Sequence, residues 1–198
     1  MRILVVATRN EGKLRELWRL LEGLPFELRS LRDYPHLPPV PEAGSTYAEN
    51  ATRKALAVAK GTGEISLADD SGLEVDALDG EPGVHSARFL GQDATDAERN
   101  AEILRRLAGV PWERRTARYR AVVAVALPDG TVRTFEGTCE GRIALEPRGS
   151  GGFGYDPIFY LPDLGRTVAE LRPHEKDRLS HRGKAMAQAR EFLRSLAG

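Results

Sequence analysis

The chain has 198 residues, of which 41% are hydrophobic and 29% are charged, and this composition is typical of a single globular domain with a substantial core. Its 29 basic and 29 acidic residues balance, which argues against a nucleic-acid-binding protein with an overall positive field. The single cysteine, Cys139, excludes an internal disulfide and fits a reducing compartment. Its strand-like surroundings favour a packing role over a nucleophilic one.

The N-terminal apolar run is too short, and too soon followed by charge, to be a secretory signal or a membrane span. We therefore expect a cytoplasmic protein that has no membrane or nucleic-acid partner. We also expect it to form one domain over residues 1–198, in which a hairpin is the only candidate for a separate lobe.

The first third of the chain predicts two strands and two helices. Residues 3–7 are apolar and β-prone, as in a strand buried on both faces, and a helix follows the polar stretch 8–13 and ends before Gly23. A second strand is expected over residues 26–31, followed by a proline-rich loop. Thr46 begins a sequence with capping-box spacing, which predicts a helix as far as Lys60.

The rest of the chain predicts a mixed α/β sheet. A strand beginning at Ile65 is expected to end in two aspartates, and residues 73–78 are expected to form a further strand. A capping box at Thr95 predicts a helix, and a turn at residues 128–130 predicts a β-hairpin. The last helix is expected over residues 180–196. Helices that alternate with strands, together with a hairpin, favour a mixed sheet.

The Asp69-Asp70 pair is the first candidate for chemistry. A strand that ends in two carboxylates places negative charge where the chain leaves the core, and this is costly without a compensating cation, partner or water. A magnesium ion near a substrate phosphate would compensate it, because Mg²⁺ is usually bound by one or two carboxylates plus phosphates. Alternatively, the two aspartates cap the next element or lie in a solvated turn.

The stretch Thr8–Lys13 is the second candidate, because it follows a buried strand and opens a helix. Backbone N–H groups at a helix start, together with a lysine, can bind an anion. The spacing is not that of a Walker A loop, since Leu14 follows the lysine. The alternative is an ordinary capped helix with an exposed Lys13.

The glycine-rich stretch 149–154 matches the dinucleotide-binding spacing by letter, but Pro157 follows where that motif requires a helix, so we reject this interpretation. Such a loop allows the backbone to approach a ligand closely. Phe153 and Tyr155 can offer a face on which a nucleobase stacks. The alternative is a mobile loop with two core aromatics.

Basic residues cluster around the start of the last predicted helix, at Lys176 and over residues 180–184. The planar fork of arginine suits a phosphate group or the carbonyl edge of a base. A solvated charged face is the alternative interpretation for this cluster.

Taken together, five stretches resemble motifs of the inosine triphosphate pyrophosphatase family, which acts on non-standard purine nucleoside triphosphates. The resemblance covers nearly the whole chain, and the order of the motifs makes it specific. The family usually has glycine where this sequence has Arg9, but Thr8, Asn10 and Lys13 are in place. The five stretches are Ala7–Lys13, Ala68–Leu73, Pro82–Arg88, Gly152–Phe159 and Ser180–Gly183.

The resemblance implies an elongated α/β fold, with a long mixed sheet in two lobes, a central nucleotide-binding cleft and usually a homodimer. It implies Mg²⁺-dependent hydrolysis of ITP, dITP and XTP to the monophosphate and pyrophosphate, which would clear these nucleotides from the cellular pool. Mg²⁺ is thus the expected cofactor and a purine nucleoside triphosphate the expected partner.

The resemblance also implies roles for individual residues. Asp70 would be the general base and a metal ligand, Glu42 would also serve the metal, and Ser71 would contact the substrate. The roles of Asp69 relative to Asp70, and of closure by the loop 32–45, stay open. The triphosphate would be held by Thr8, Arg9, Asn10, Glu11, Gly12, Lys13 and Lys176, and the base by Phe153, Gly154, Tyr155, Asp156, His181 and Arg182.

Three other functions stay possible at this point. A phosphohydrolase of another class would use Asp69 or Asp70 as a phosphorylated nucleophile. A nucleotide sensor would bind ITP with Mg²⁺ and release no product. An RNA-binding module would suit the stacking aromatics but not the neutral net charge.

Overall fold

The computed structural model describes residues 1–198 and contains a seven-stranded sheet with helices packed against it. The order of the strands in the sheet is β2-β1-β3-β4-β5-β6-β7. This arrangement confirms the predicted mixed α/β class. The elements are β1 (Arg2–Val6), α1 (Glu11–Leu20), β2 (Phe26–Ser30), α2 (Tyr47–Thr62), β3 (Ile65–Val75), α3 (Asp96–Arg106), β4 (Thr116–Ala126), β5 (Val132–Ile143), β6 (Phe159–Leu161), β7 (Arg166–Thr167), α4 (Pro173–Leu179) and α5 (His181–Ala197).

The sheet is parallel on one side and antiparallel on the other. Strand β1 pairs in parallel with both β2 and β3, as expected of a continuous apolar strand that is followed by a crossover helix. Strand β6 pairs antiparallel with β5 and β7. Strands β4 and β5 are neighbours joined by a tight turn, in which the Leu127 amide donates to the Thr131 carbonyl, so the predicted hairpin is present.

The chain folds into two compact units, and strands β3, β4 and β5 contribute residues to both. The first unit comprises Met1–Asp70, Ala121–Gly137 and Arg182–Gly198, and the second comprises Ser71–Arg120 and Thr138–His181.

Each unit has its own hydrophobic core. In the first unit, Leu4 and Val6 of β1 pack with Leu17 of α1 and Met186 of α5, all of them fully buried. Their positions follow from the two periodicities, since Leu4 and Val6 share one face of a strand, whereas Leu17 lies on the apolar stripe of α1. In the second unit, the buried rings of Tyr119 and Phe159 stack with their centroids 4.4 Å apart.

The prediction of two strands on either side of the aspartates was wrong. Strand β3 runs without a break from Ile65 to Val75, and both aspartates lie inside it, with Asp69 0% and Asp70 3% exposed. Residues 76–78 form a 3₁₀ turn instead of continuing a strand. The two polar residues indicated an exit from the core, but cations from other parts of the chain compensate the buried charge of Asp69.

The predicted last helix, over residues 180–196, is confirmed as α5, which starts at His181. A short helix that was not predicted, α4, precedes it and begins at Pro173. The pyrrolidine ring of a proline suits the first turn of a helix, which explains where α4 starts. At the N-terminus, α1 begins at Glu11 with Asn10 as its N-cap, inside the predicted polar loop.

Both predicted helix starts that depend on threonine are present. Thr95 forms a reciprocal capping box with Glu98 at the start of α3. Thr46 caps α2 by accepting from the Glu49 amide, but the Glu49 carboxylate accepts from the Ser45 amide, so this second box is incomplete. No helix in the structure has the length and apolar character needed to cross a lipid bilayer.

Candidate active site

The first unit contains a buried chain of alternating charges around Asp69. Lys13 Nζ lies 2.9 Å from Asp69 Oδ1, and Arg182 Nε lies 3.3 Å from Asp69 Oδ2. Arg182 also donates from Nη1 to Glu16 Oε2 at 2.6 Å. Lys13 and Glu16 come from α1, Asp69 from β3 and Arg182 from the first turn of α5, so the cluster joins three elements.

These contacts fix Asp69 as an anion. Burial alone would raise the pKa of its carboxyl, but the charges of Arg182 and Lys13 outweigh burial and hold that pKa well below its usual range. The pKa of Arg182 is raised, because its carboxylate partners outweigh the opposing effect of burial. Asp69 is therefore a structural counter-ion for two buried cations and is a poor proton acceptor.

Asp70 has a different environment, although it is the next residue. Its Oδ2 accepts a hydrogen bond from Asn50 Nδ2 at 3.1 Å. Burial raises the pKa of the Asp70 carboxyl, the Glu42 carboxylate adds to this effect, and Lys13 and Lys54 oppose it without cancelling it. Asp70 is thus a carboxyl whose charge the protein leaves only partly compensated, which suits a proton acceptor or a metal ligand.

Lys54 connects Glu42 to the aspartate strand. Its Nζ lies 3.0 Å from Glu42 Oε1 and donates to the backbone carbonyl of Asp69 at 2.6 Å. Glu42 belongs to the proline-rich loop, so this contact places the loop carboxylate on the Asp70 side of the first unit. The predicted metal ligands and the predicted cation Lys13 are therefore brought together within one unit.

The carboxylates of this unit fit a divalent cation that is shared with a substrate. No group of three or more His, Cys, Asp or Glu side chains in the structure is arranged to hold a metal by itself. Magnesium bound with a nucleotide needs only one or two carboxylates, because phosphate oxygens and water complete its coordination. Asp70 and Glu42 offer two carboxylates within this unit, and the Glu42 charge contributes to the raised pKa of Asp70, so a cation near them would be favourable.

The stretch Thr8–Lys13 forms the N-terminal end of α1. Asn10 caps the helix by accepting from the Lys13 amide at 3.0 Å, and Thr8 Oγ1 accepts from the Asn10 amide at 3.1 Å. The alternative of an exposed Lys13 was wrong, because this residue is only 8% exposed. Gly12 is buried in the first turn of the helix.

The side chains of Arg9 and Glu11, two members of that stretch, contact other segments of the first unit. Arg9 donates from Nη2 to the carbonyl of Leu37 at 3.1 Å, and Glu11 pairs with Arg32 at the surface. Both contacts tie the start of α1 to the segment that leads into the proline-rich loop. The two side chains thus link the start of α1 to Leu37 and Arg32.

The second unit contains a second group of predicted site residues, centred on Asp156. Lys176 Nζ lies 2.6 Å from Asp156 Oδ2, and the Tyr119 hydroxyl donates to Asp156 Oδ1 at 2.9 Å. The Phe153 amide also donates to Asp156 Oδ2. This carboxylate is 2% exposed, so its three partners replace the water that it loses on burial.

The Lys176 ammonium lies over one aromatic ring, and two further rings of this group stack on each other. Its Nζ lies 4.8 Å from the centroid of the Phe153 ring, and His181 stacks on Tyr119 at 4.5 Å between centroids. Phe153 is partly exposed, which leaves its ring accessible to a planar ligand. Tyr155 is 6% exposed, and its hydroxyl donates to the Ser86 carbonyl, so the structure places this ring in the core.

Two predicted residues thus have partners that differ from their expected neighbours. Lys176 was expected with the triphosphate residues but contacts Phe153 and Asp156. Arg182 was expected at the base but is held by two carboxylates of the first unit. The first unit holds Thr8–Lys13, Glu42, Asp70 and Arg182, and the second holds Ser71, Phe153–Asp156, Lys176 and His181.

Sequence reasoning missed several residues that contact the predicted ones, among them Glu16, Asn50, Lys54 and Tyr119. Glu16 lies three residues after Lys13 on α1, and Asn50 and Lys54 lie four residues apart on α2, so helical spacing could have identified these three. Tyr119 gave no such signal, because its contact with Asp156 spans 37 residues.

Comparison with known proteins identifies the family. A model described as the Ham1 family matches residues 4–192 of the sequence. The chain belongs to the Ham1 family. Its resemblance to the inosine triphosphate pyrophosphatases is confirmed by two relatives named dITP/XTP pyrophosphatase. The protein from Desulforamulus reducens is 52% identical over 193 residues, which are 98% of this chain and 96% of that one. The protein from Geobacter sulfurreducens is 53% identical over 190 residues, which are 96% of each chain.

Solved structures of Ham1 proteins have the same fold. A HAM1 protein from Coxiella burnetii matches with a TM-score of 0.88 and 44% identity over 98% of both chains. The Ham1 protein from Staphylococcus aureus matches with a TM-score of 0.87 and 36% identity, covering 98% of this chain and 100% of that one.

Proposed function

We propose that this Ham1 protein hydrolyses non-standard purine nucleoside triphosphates (ITP, dITP and XTP) to the monophosphate and pyrophosphate. The observation that carries the proposal is the pair of adjacent aspartates in β3, one locked as a counter-ion and the other left with a raised pKa beside buried lysines. The names of the relatives, dITP/XTP pyrophosphatase, support the same substrate class.

In the proposed reaction, Asp70 is the general base. A water molecule attacks the α-phosphorus, its proton passes to the Asp70 carboxylate, and the bond between the α-phosphorus and the bridging oxygen breaks, so that pyrophosphate leaves. A raised pKa brings a carboxyl closer to the value at which it accepts a proton efficiently near neutral pH. Asn50, which donates to Oδ2, keeps the carboxylate oriented.

The cations of the first unit stabilise the phosphate charge. Lys13 lies in the first turn of α1, where backbone N–H groups and the helix dipole also favour an anion. Asp69 holds the Lys13 ammonium in place, and Lys54 adds a second ammonium beside Glu42. Positioned cations of this kind stabilise the charge that spreads over the phosphate oxygens during phosphoryl transfer.

We propose Mg²⁺ as the cofactor, with Asp70 and Glu42 as the residues that would hold it. When bound, it supplies positive charge beside the phosphate oxygens. The donor set supports this assignment, because both side chains offer the carboxylate oxygens that Mg²⁺ prefers.

The second unit supplies the proposed base recognition. Phe153 offers a partly exposed ring for stacking, and Lys176 and His181 offer hydrogen-bond donors for a keto oxygen. The 6-amino group of adenine cannot accept hydrogen bonds from these donors and would leave them unpaired. Such mismatches discriminate strongly between substrates. We therefore expect kcat/KM for ITP and XTP to exceed that for ATP greatly, with GTP also poor because of its 2-amino group.

A panel of nucleoside triphosphates, assayed with Mg²⁺ for pyrophosphate release, tests the proposal. Comparable kcat/KM values for ATP and ITP would contradict the proposed selectivity. Inorganic phosphate as the first product, with a trapped aspartyl-phosphate, would indicate another class of phosphohydrolase. Binding of ITP without product would indicate a sensor, and salt-dependent RNA binding would indicate an RNA-binding module.

The homodimer that the resemblance implies, and the cytoplasmic location expected from the sequence itself, stay predictions. Light scattering on the purified protein measures the first, and cell fractionation measures the second.

A further inference from the structure

Side chains of helix α3 form hydrogen bonds with both the backbone N–H and the backbone C=O of Gly154, in the second unit. The Gly154 amide donates to Asp96 Oδ2 at 2.9 Å, and the Gly154 carbonyl accepts from Asn100 Nδ2 at 3.1 Å. Asp96 and Asn100 are four residues apart on the helix, so their side chains lie on the same face, one turn apart. Helix α3 therefore fixes the two peptide groups that flank the Gly154 Cα atom.

The backbone conformation of Gly154 sets the directions of the Phe153 and Asp156 side chains. Gly154 has a φ of +64°, in the left-handed region that favours glycine, and it follows Phe153 directly. Asp156, two residues later, accepts from the Phe153 amide and from Lys176. A change in the Gly154 backbone would thus move the Phe153 ring and the Asp156 carboxylate together.

Stability alone does not explain an asparagine at position 100. The residue is 4% exposed, and its Oδ1 is buried without a hydrogen-bond partner, which is an unfavourable state for an amide oxygen. An apolar side chain of similar size would avoid this cost. The asparagine is therefore better explained by what its Nδ2 does, which is to hold the Gly154 carbonyl.

We propose that Asp96 and Asn100 are positioning residues that set the discrimination between purine bases, by holding the Phe153–Asp156 segment in its binding orientation. The inference rests on the proposed function, because it assigns base recognition to that segment. Neither residue contacts the phosphate-binding group of the first unit, so their loss is expected to weaken base recognition and to leave the chemical step intact.

The first test replaces Asn100 with leucine, which has the same branching at Cγ and no donor. We expect KM for ITP to rise by about tenfold or more, the ITP-to-ATP ratio of kcat/KM to fall by a similar factor, and kcat for ITP to stay within about twofold. The melting temperature is expected to change little, because the buried Oδ1 without a partner is removed while the Gly154 carbonyl loses its donor. A lower melting temperature with unchanged selectivity would show a merely structural role. Arg105→Ala, an exposed change on the same helix, is the control.

The second test compares two variants of Asp96, whose side chain is 54% exposed, so both are expected to fold. Asp96→Asn keeps an oxygen that accepts from the Gly154 amide but loses the charge and the ion pair with Arg99. Asp96→Ala loses all three. The proposal predicts that Asp96→Asn keeps the wild-type ITP-to-ATP ratio and that Asp96→Ala loses it. Equal effects of the two variants would overturn it.

A readout that needs no turnover separates failure of this inference from failure of the proposed function. Amide hydrogen exchange at Gly154, followed by NMR, is expected to be slow in the wild type and in Asp96→Asn, and faster in Asp96→Ala. A wild type that does not hydrolyse ITP refutes the proposed function whatever the exchange rates are. A wild type that hydrolyses ITP, with variants that keep its selectivity, refutes only the positioning role.

Discussion

Asp69 and Asp70 are consecutive residues of β3, yet their carboxyl groups have pKa values displaced in opposite directions. Asp69 contacts Lys13 and Arg182, and these cations lower its pKa despite complete burial. Asp70 is hydrogen-bonded by the neutral Asn50, and burial raises its pKa. Side chains of adjacent strand residues point to opposite faces of a sheet, which is how neighbours acquire such different surroundings.

Replacing Asp70 with asparagine tests the general base. We expect kcat for ITP to fall by at least about 10²-fold, because general-base catalysis is worth roughly that much or more. Nucleotide binding is expected to persist, since Asn50 can still donate to the Asn oxygen. The melting temperature at pH 7 is expected to be no lower than that of the wild type, because ionising a carboxyl of raised pKa costs stability above its ordinary pKa. Asp163→Asn, at the surface, is the control.

Replacing Asp69 with asparagine is expected to act mainly on stability. The change leaves Arg182 and Lys13 without their shared counter-ion, and removing one partner of a buried ion pair typically costs about 3–5 kcal/mol. Urea unfolding at pH 7 measures this loss. A variant as stable as the wild type would show that the charge cluster is not what holds α1 and α5 at β3.

The same carboxyl predicts a pH dependence. Because the pKa of Asp69 is lower in the folded than in the unfolded chain, its contribution is fully present above about pH 5 and is lost as pH falls through and below the ordinary value of 3.8. The free energy of unfolding should therefore fall more steeply with acid in the wild type than in Asp69→Asn. Parallel curves for the two proteins would contradict this assignment.

Replacing Glu42 with glutamine tests the metal ligands. We expect the Mg²⁺ concentration for half-maximal turnover to rise by about tenfold or more, since an anionic ligand is lost while kcat at saturating Mg²⁺ changes less. Chelation of divalent ions should abolish turnover in the wild type and leave its melting temperature unchanged. Glu22→Gln provides an exposed control in the same unit. An unaltered Mg²⁺ requirement would remove Glu42 from the ligand set.

Replacing Lys54 with methionine tests a residue that sequence reasoning did not select. Its ammonium contacts both Glu42 and the Asp69 carbonyl, and hydrogen bonds of charged groups are worth about 1.5–3 kcal/mol. We expect kcat/KM for ITP to fall by about tenfold to 10²-fold. Lys60→Met, at an exposed position on the same helix, should have no effect. Equal activity of the two variants would show that the Lys54 contacts are dispensable.

The sequence predicted those parts of the fold that depend on local pattern. The apolar run of β1, the capping box at Thr95 and the turn of the hairpin each contain their signal within a few residues, and the structure confirms all three. The five ordered motifs likewise identified the family without any knowledge of contacts.

The parts that failed depend on contacts between distant residues. Asp69 can stay inside a strand only because Arg182, 113 residues later in the chain, brings a guanidinium to it. The Arg182 bond to Glu16 spans 166 residues. Local periodicity contains no information on such partners, so it predicted that the strand ends at Asp70, whereas β3 continues to Val75. The same limit applies to Lys176, whose contact with Asp156 spans 20 residues and has no local signal.

The use of lysine in this chain has a practical consequence for chemical labelling. Three of the five lysines, Lys13, Lys54 and Lys176, each contact a carboxylate and are shielded from solvent, whereas Lys60 and Lys184 are exposed. All other basic side chains except histidine are arginines, which amine-selective reagents do not acylate. Mild acylation followed by mass spectrometry should therefore label Lys60, Lys184 and the exposed N-terminal amine of Met1, which serve as internal standards. The three shielded amines should be labelled much more slowly than these standards.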